Sequence, residues 1–420
     1  MNQKILLTAA LFACAATVTA QNSNKAFAIT GDGNNDFIWM NIRQVDLSTG
    51  QVSKTIFQRS QTTFELTDIL SKKTNNGSEI KGNDIFQSNQ YPTGSMVAAA
   101  AYDQRNNKLF FTPMRVGELR WLDLDIKNET PKFYSISADA LKLNFSPDEA
   151  NNITRMVIAA DGNGYAVTND GNHFFKFTTG KKPVVTDLGN LIDDERNDGI
   201  SVHNKCSSWG GDMLADAYGK LYLVSANRHV FVVDIDSRVA THKGMITGLP
   251  DNYTTNAAAV NADGDIVVSS ANVFAGYYKV KLDNLAATPI EGSDKKYNAS
   301  DLANGNLLLQ KESDATRKYT LNSESKFSEN FFSNSDQRVF PNPVTNAVFS
   351  VLFDGQKAGN YSVTLTDISG KVLQTQQVNI TKGSQTEMVR INKRPSKGIY
   401  LVKVFDDAKQ LAFTEKIMIQ

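Results

Sequence analysis

The residues with the most varied chemistry in this sequence lie between positions 203 and 209. The stretch reads His-Asn-Lys-Cys-Ser-Ser-Trp and combines a thiol, an imidazole and two hydroxyls. A Cys/His nucleophilic pair needs hydrogen-bond distance and a third group that orients the base, and closeness in sequence does not supply that geometry. We interpret the stretch as a polar loop in which His203 and Trp209 are candidate ligand contacts, with no catalytic residue.

Two groups of side chains have the oxygen ligands that calcium prefers. They are Asp193, Asp194, Glu195 and Asp198, and, closer to the N-terminus, Asp32, Asn34 and Asp36. The first group does not have EF-hand spacing. In the second group, Phe37 stands where the glycine of a calcium loop would be, and no Glu follows at the twelfth position. The four histidines have no short metal-ligand spacing, and no Gly-x-Ser-x-Gly elbow or phosphate-binding loop occurs. The sequence therefore predicts polar turns here, no metal site and no cofactor.

The strands that must position these residues repeat along the chain. Residues 212–235 contain a short apolar run, the turn Asp216–Lys220, and two further runs, Leu221–Ser225 and Val230–Ile235. This is an antiparallel meander, and most copies add a fourth, more polar strand. Six copies begin near residues 26, 96, 153, 212, 255 and 298. Such spacing is typical of propeller blades, so we predict an all-β chain with a six-bladed β-propeller over residues 21–332.

One turn of this array carries a resemblance. Asp216-Ala217-Tyr218-Gly219-Lys220-Leu221-Tyr222 resembles the D-x-x-G-x-L-Y-like turn of a broad class of six-bladed β-propellers. The resemblance covers roughly residues 22 to 330. It implies the fold and gives almost no information on activity.

Three connections between units are long. Gln58–Ser95, Ser137–Asn152 and Gly189–Gly211 each join a fourth strand to the next first strand. In an up-and-down blade array such joins emerge on one face, and insertions confined to one face often mark the binding face. The alternative, tolerated surface loops, stays open. The third join contains His203 and Trp209, so we expect a ligand there.

A different pattern follows a polar linker at residues 333–338. Short alternating strands with Gly and Asp/Asn turns run from residue 339 to 420, which indicates a small Ig-like β-sandwich. Three segments stand out within it. They are Val339-Phe340-Pro341-Asn342-Pro343-Val344, then Leu365–Val372, and finally Gly398–Val404 with Lys416–Gln420.

These segments resemble the type A C-terminal sorting domain of the type IX secretion system of Bacteroidota. The resemblance assigns the sorting motif to Pro341, Asn342, Pro343, Asp367, Gly370, Gly398 and Lys416. It implies Sec export, passage through the outer membrane, removal of the domain on arrival, and the type IX machinery as a partner. The generic alternative is a small sandwich of another use.

The first twenty residues have the pattern of a secretory signal peptide. Lys4 precedes the apolar run Ile5–Val18, and Val18-Thr19-Ala20 fits cleavage after Ala20. A lipoprotein signal with Cys14 as the lipidated residue is the rival interpretation. Without the signal, no segment has the length of a transmembrane helix and Cys206 is the single cysteine. We expect a secreted or outer-surface protein.

Composition and motifs are compatible with two classes of function. Lys+Arg and Asp+Glu are equal at 44 each, so we expect no general attraction to nucleic acid. The first function is a binding module whose ligand is a glycan, a peptide or a surface protein. The second is an extracellular hydrolase or lyase acting on a glycan or small polar substrate. Clustered inward-facing carboxylates or histidines at the mouth of the central channel would favour the enzyme.

Overall fold

The computed structural model of the chain describes residues 23–33, 36–61, 63–77, 89–125, 130–145, 149–292, 297–316, 339–345, 347–367, 371–381, 384–392 and 395–419. The predicted signal peptide, with Cys14, and the predicted linker at residues 333–338 lie outside these ranges. The chain divides into two compact units, Met1–Asp314 and Ala315–Gln420. The boundary at residue 332 stays a prediction.

The first unit consists, in its described part, of five sheets that we call blades I to V, with strands numbered in chain order. Blade I contains β1 (Lys25–Thr30), β2 (Asn41–Asp46) and β3 (Gln51–Phe57). Blade II contains β4 (Glu65–Asp68), β5 (Thr74–Asn76), β6 (Val97–Asp103), β7 (Lys108–Pro113), β8 (Glu118–Asp123) and β9 (Lys132–Ser137). Blade III contains β10 (Ile153–Ile158), β11 (Gly164–Thr168), β12 (Phe174–Phe177) and β13 (Val185–Asp187). Blade IV contains β14 (Ile192–Asp193), β15 (Asp212–Ala215), β16 (Lys220–Val224), β17 (His229–Asp234) and β18 (Val239–Met245). Blade V contains β19 (Ala257–Val260), β20 (Ile266–Ser269), β21 (Tyr277–Val280) and β22 (Ala287–Pro289). The sheets are antiparallel except for the parallel pairs of β4 with β9 and of β14 with β18.

The ring closes through the last strand of the unit, β23 (Ala299–Ala303), which pairs with β1 and becomes the inner strand of blade I. The inner strands contact one another in the order β23, β6, β10, β15 and β19, and β19 contacts β23 again. The predicted propeller is therefore confirmed as a fold, but the predicted count of six blades is wrong, because the described residues form five.

The error has a physical cause. Ala26–Thr30 and residues 298–302 each have the pattern of a first strand, but they belong to one blade that both ends of the unit share. An inner strand has the same apolar pattern whether its partner follows directly or lies almost the whole propeller away. The expected strand at 307–310 is a single β-bridge at Leu308, followed by a helical segment at 310–316. The expected strand at 318–321 lies outside the described residues.

Strand alternation gives the ring two faces. The first-to-second and third-to-fourth turns of every blade lie on one face, which we call the hairpin face. The second-to-third turns and the joins lie on the other, the join face. Hydrogen bonds agree with this arrangement. In the second-to-third turn of blade II, Arg115 N donates to Asn152 Oδ1 of the second join (2.9 Å). In the second-to-third turn of blade III, Asn169 N donates to Asn152 O, and Asn169 Oδ1 accepts from Gly210 N of the third join. The described parts of these long joins thus share a face, as predicted.

Side-chain size follows the taper of the ring. Small buried residues occupy the inner strands, among them Ala99, Ala101 and Ala257–Ala259. Larger aromatic residues fill the wider space further out, as in the cluster of Phe57, Phe64 and Phe133 between blades I and II. Interior positions of small β-rings alternate in size for this reason.

The second unit, in its described part, is a sandwich of seven strands. They are β24 (Val339–Phe340), β25 (Val348–Asp354), β26 (Gly359–Asp367), β27 (Val372–Ile380), β28 (Ser384–Arg390), β29 (Gly398–Phe405) and β30 (Leu411–Ile419). One sheet has the order β24-β25-β28 and the other the order β27-β26-β29-β30. Side chains of both sheets, such as Phe349, Phe353, Val402 and Phe413, form one buried cluster. The predicted sandwich is confirmed.

Candidate functional site

The axis of the ring contains two aspartates that sequence reasoning did not single out. Asp212 begins β15, Asp301 lies in the middle of β23, and neither has exposed surface. Asp212 Oδ1 accepts from its neighbour Met213 N at 2.7 Å. Its Oδ2 accepts from Ala258 N of blade V at 2.7 Å and from Leu302 N of blade I at 3.2 Å. One carboxylate thus ties three inner strands together across the axis.

This arrangement meets a requirement of the fold. Each inner strand is an edge strand whose free N–H groups point to the axis, and buried N–H groups need acceptors. Three N–H donors favour the ionised form of Asp212, yet burial outweighs them and raises the pKa of this carboxyl. Both oxygens of Asp301 are buried close to Ala100 N and to the carboxyl of Asp212, and burial, together with the charge of Asp212, raises its pKa. Where the pair holds a single proton, we place it on Asp301, because the three N–H donors favour the charged form of Asp212.

The two carboxyls are sealed from solvent. A cavity of about 10 Å³ lies between the inner strands, lined by small side chains such as Ala100, Ala258 and Ala303. This is about the room that one water molecule needs. Asp212 and Asp301 face inward but lie sealed within the ring and not at the mouth of a channel, so they do not meet the condition that would favour an enzyme.

The join face holds the predicted ligand contacts. His203 Nδ1 lies 2.6 Å from Asp170 O and its Nε2 lies 3.1 Å from Leu191 O. Trp209 Nε1 donates to His203 O at 3.0 Å, and the ammonium of Lys205 lies 4.8 Å from the centre of the indole. The structure thus brings His203 and Trp209 together. Both imidazole nitrogens of His203 are within hydrogen-bond distance of backbone carbonyls. That His203 and Trp209 contact a ligand stays a prediction.

The polar residues around them mostly bond the loop itself. Asp193 accepts from Ser201 Oγ (2.6 Å) and Val202 N (2.8 Å), while Asp194 pairs with Arg196 (2.6 Å). Cys206 is exposed and its thiol is free. No group of three or more His, Cys, Asp or Glu side chains in the described ranges could hold a metal ion.

Two buried arginines, Arg120 and Arg155, donate hydrogen bonds to backbone carbonyls of the first and third joins. Arg120 Nη1 donates to the carbonyls of Tyr91 (2.7 Å) and Pro92 (2.8 Å), and its Nη2 donates to Asn89 O (2.6 Å). Arg155 similarly donates to Ser208 O (3.0 Å) in the third join. Both guanidinium groups are fully buried. A charge-assisted hydrogen bond to a loop carbonyl is strong in such surroundings, so these joins are held in place rather than loosely attached.

The hairpin face contains a groove of about 670 Å³ between blades III and IV, which we call groove III–IV. Its charged lining consists of Asp161, Lys176, Lys220, Asp234, Asp236 and Arg238. Lys220 Nζ pairs with Asp234, and Lys176 Nζ lies 3.8 Å from Asp161. Three acids and three bases give a lining without net charge. Tyr218, whose side chain is 55% exposed, adds an aromatic surface.

A second groove, groove IV–V, lies between the next two blades and has a volume of about 550 Å³. Residues 304–316, which we call the exit segment, cross the hairpin face and form one wall of it. Leu308 N donates to Ala215 O (3.0 Å), and Ala217 N donates to Leu308 O (2.9 Å). The Leu308 side chain is fully buried in the cluster between blades IV and V. Groove IV–V is therefore partly filled by the chain itself.

The sorting residues lie together in the sandwich. The predicted motif consists of Pro341, Asn342, Pro343, Asp367, Gly370, Gly398 and Lys416. Asn342 Nδ2 donates to Lys416 O (3.0 Å), and Asn342 Oδ1 accepts from Met418 N (2.9 Å). Asp367 accepts from Lys371 N (3.0 Å) at a hairpin turn, and Gly398 opens β29 opposite Ile419. The first and last motifs are thus bonded to each other, whereas Gly370 lies outside the described residues.

Comparison with known proteins agrees with this arrangement. Residues 338–420 match the family described as the secretion system C-terminal sorting domain. This part of the chain is a type IX sorting domain, and the protein is a β-propeller that the type IX system delivers to the cell surface or the extracellular space. Among the described residues no helix is long and apolar enough to cross a membrane. No match is found among curated proteins.

Similar solved structures include three that we describe. PorZ, an essential bacterial surface component of the type IX secretion system of Porphyromonas gingivalis, is 13% identical over 94% of this chain and 51% of its own, with a TM-score of 0.29. This chain thus spans about half the length of PorZ. Streptogramin B lyase is 12% identical over 68% of this chain and 89% of its own, with a TM-score of 0.36. Virginiamycin B lyase from Staphylococcus aureus is 11% identical over 78% and 85%, with a TM-score of 0.31. At these identities none of them assigns an activity to this chain.

Proposed function

We propose that this exported propeller is a binding module and that its ligand occupies groove III–IV. The observation that carries the proposal is the size and position of this groove. Its volume of about 670 Å³ lies in the range of ligand sites, roughly 300 to 1,000 Å³. It opens on the hairpin face between two neighbouring blades.

The lining supports a polar ligand without a large net charge. Arg238 already donates one bond to Leu188 O (2.6 Å), and Lys220 and Asp234 are paired with each other. Charged groups held in this way are preoriented donors and acceptors. The exposed ring of Tyr218 offers contact area at a low cost in side-chain entropy.

The alternative, an extracellular hydrolase or lyase, has less support. Its catalytic groups would have to be Asp212 and Asp301, the two carboxyls at the axis, and both have no exposed surface. A general acid or base must come within hydrogen-bond reach of the substrate. The cavity beside the axis has a volume of about 10 Å³, which is too small to bring a substrate to these carboxyls.

The test is a binding screen with the mature, full-length chain against glycans, peptides and surface proteins. Any ligand is then measured against Tyr218→Ala on the hairpin face and Trp209→Ala on the join face. Loss of one well-packed aromatic contact costs about 1.4 kcal/mol or more, which is tenfold in affinity. We expect that loss in Tyr218→Ala and less than about twofold change in Trp209→Ala. The opposite result would move the site to His203 and Trp209, as the sequence predicts.

A further inference from the structure

We propose that the ligand of groove III–IV is a peptide segment of a partner protein, with an aliphatic side chain followed three residues later by a basic one. This inference rests on the proposed function and names the ligand class. It comes from a comparison of the two grooves, because the chain itself shows how such a groove is filled.

The exit segment is an internal example of the ligand. Its Leu308 makes two backbone hydrogen bonds to the turn of blade IV, in a parallel β-bridge with Asp216. The side chain of Leu308 is buried between blades IV and V. Three residues later, Lys311 Nζ donates to Asp263 O (3.0 Å) and lies 3.8 Å from its carboxylate, on the turn of blade V. The segment is therefore bound by its backbone, by Leu308 and Lys311, and by Asn304 and Asn306, whose side-chain amides each donate to Val260 O at 2.7 Å. It turns between Leu308 and Lys311, because its helical part begins at residue 310.

Groove III–IV is built on the same plan. The turn of blade IV is closed by Asp216 N to Lys220 O (2.9 Å), and that of blade V by Asn261 N to Asp265 O (2.9 Å). When the two turns are aligned on these closing hydrogen bonds, Asp263 of blade V occupies the position of Tyr218 of blade IV. The turn of blade III has the matching bond, from Ala159 N to Asn163 O (2.9 Å).

The side chains behind these turns also correspond. Tyr165 of blade III and Tyr222 of blade IV occupy the same position and each donates to an aspartate of its turn. The aspartates differ in position, because Tyr165 bonds Asp161 (2.9 Å), whereas Tyr222 bonds Asp216 (3.3 Å), which Ala159 replaces in blade III. On the opposite wall, Lys220 pairs with Asp234 in blade IV. In blade V the same two positions form the pair of Asp265 and Lys281 (2.9 Å) with the charges exchanged. The two grooves thus have turns closed by the same backbone hydrogen bond. They differ in that the acid and the base of this ion pair exchange positions between blades IV and V.

Groove III–IV is filled less by the exit segment, whose partly buried Leu307 packs against the apolar cluster between blades III and IV. Its lining comes from blades III and IV and from Leu188 at the start of the third join, with no part of the exit segment. Ala159, Leu188 and Ile235 give it an apolar patch for an aliphatic side chain. Where Lys311 meets Asp263 in groove IV–V, a bound peptide would meet the exposed ring of Tyr218 with Asp236 in the same lining. A cation can contact both, through its charge and through the face of the ring.

The test uses a fluorescent synthetic peptide that copies residues 304–314 of this chain. Its binding to the mature full-length protein is followed by fluorescence anisotropy. We expect saturable binding that a peptide with serine in place of the second of the three leucines does not show. Tyr218→Ala should weaken binding at least about tenfold, whereas Tyr218→Phe, which keeps the ring, should stay within about threefold.

Asp263→Ala is the matched control, since Asp263 belongs to groove IV–V. If Asp263→Ala changes binding and Tyr218→Ala does not, the peptide has only displaced the exit segment and the proposal is wrong. If the peptide fails to bind but a glycan binds and is lost in Tyr218→Ala, the ligand class is wrong and the proposed function stands. If the peptide fails and every ligand found in the screen ignores Tyr218→Ala, both are wrong.

Discussion

Replacing Asp301 by Asn should make this propeller more stable at neutral pH and remove a pH dependence that the parent protein has. Asp301 is fully buried beside Asp212, and burial with the charge of Asp212 holds its pKa well above the usual range. In the unfolded chain an aspartate has a pKa of about 3.9. Folding therefore keeps one proton on the pair that the unfolded chain would release.

The sign follows from proton linkage. A carboxyl with a raised pKa in the folded state contributes its full stability below about pH 4 and loses it as the pH rises towards the folded value. Between about pH 5 and the raised pKa of Asp301, the folded chain binds at least one more proton at this pair than the unfolded chain. The free energy of unfolding then falls by about 1.4 kcal/mol per pH unit from this pair.

Asparagine resembles the protonated aspartic acid in shape and carries no charge. With similar contacts, Asp301→Asn should raise the free energy of unfolding at about pH 7 by up to about 4 kcal/mol relative to the parent, and by less than about 1 kcal/mol at pH 4.5. Asp212→Asn is the informative partner variant. It weakens the acceptor for three backbone N–H groups and should be destabilising at both pH values.

The assay is urea unfolding of the mature full-length chain, followed by tryptophan fluorescence. All three tryptophans, Trp39, Trp121 and Trp209, lie in the propeller, so the signal reports this unit. His229 and His242, whose pKa values burial lowers, contribute an opposite slope, but they cancel in the difference between variant and parent. Asp198→Asn, at an exposed loop position, serves as control. Parallel pH profiles for parent and Asp301→Asn would contradict the shared proton.

Three further predictions concern stability and sorting. Leu308→Ala should lower the free energy of unfolding of the propeller by about 2–5 kcal/mol, because a fully buried side chain is removed, while the half-exposed Leu70→Ala should change it by less than about 1 kcal/mol in the same urea assay. Arg120→Met leaves the carbonyls of Asn89, Tyr91 and Pro92 without their donor, so limited proteolysis should cut the first join faster than in the exposed-arginine control Arg115→Met. Deletion of Val339–Gln420 should leave the protein in the periplasm of a type IX-competent host, as cell fractionation and immunoblotting would show, and a truncated chain that still reached the surface would refute this role.

Local features of the propeller could be predicted from the sequence. The turn Asp216–Lys220 was correctly placed between two strands, because Asp and Gly in that order favour a tight turn between apolar runs of period two. The same holds for the sandwich, where the alternation of apolar and polar residues predicts a series of short strands between residues 339 and 420. The number of blades was not predictable in this way. Pairing of β23 with β1 joins residues more than 270 positions apart, and no local pattern records it.

The candidate site was predictable only in part. The residues of the Asp216–Tyr222 turn were recognised as a fold signature, and Tyr218 within it turns out to line groove III–IV. Asp161 and Lys176 come from another blade, so only the folded ring brings them near Tyr218. Asp212 and Asp301 look like ordinary polar positions at the start and in the middle of a strand. Their importance arises from closing a narrow ring, which is a property of the assembled fold.

The blade number also decides where binding can occur. Five inner strands surround a narrower axis than six would, and here small side chains and the carboxyl of Asp212 fill it. The space left for a ligand is then between blades, where adjacent turns diverge towards the rim of the hairpin face. The exit segment uses one of these spaces to fix the end of the propeller through Leu308. Our proposal is that the corresponding space one blade earlier, groove III–IV, binds a segment of another chain in a similar way.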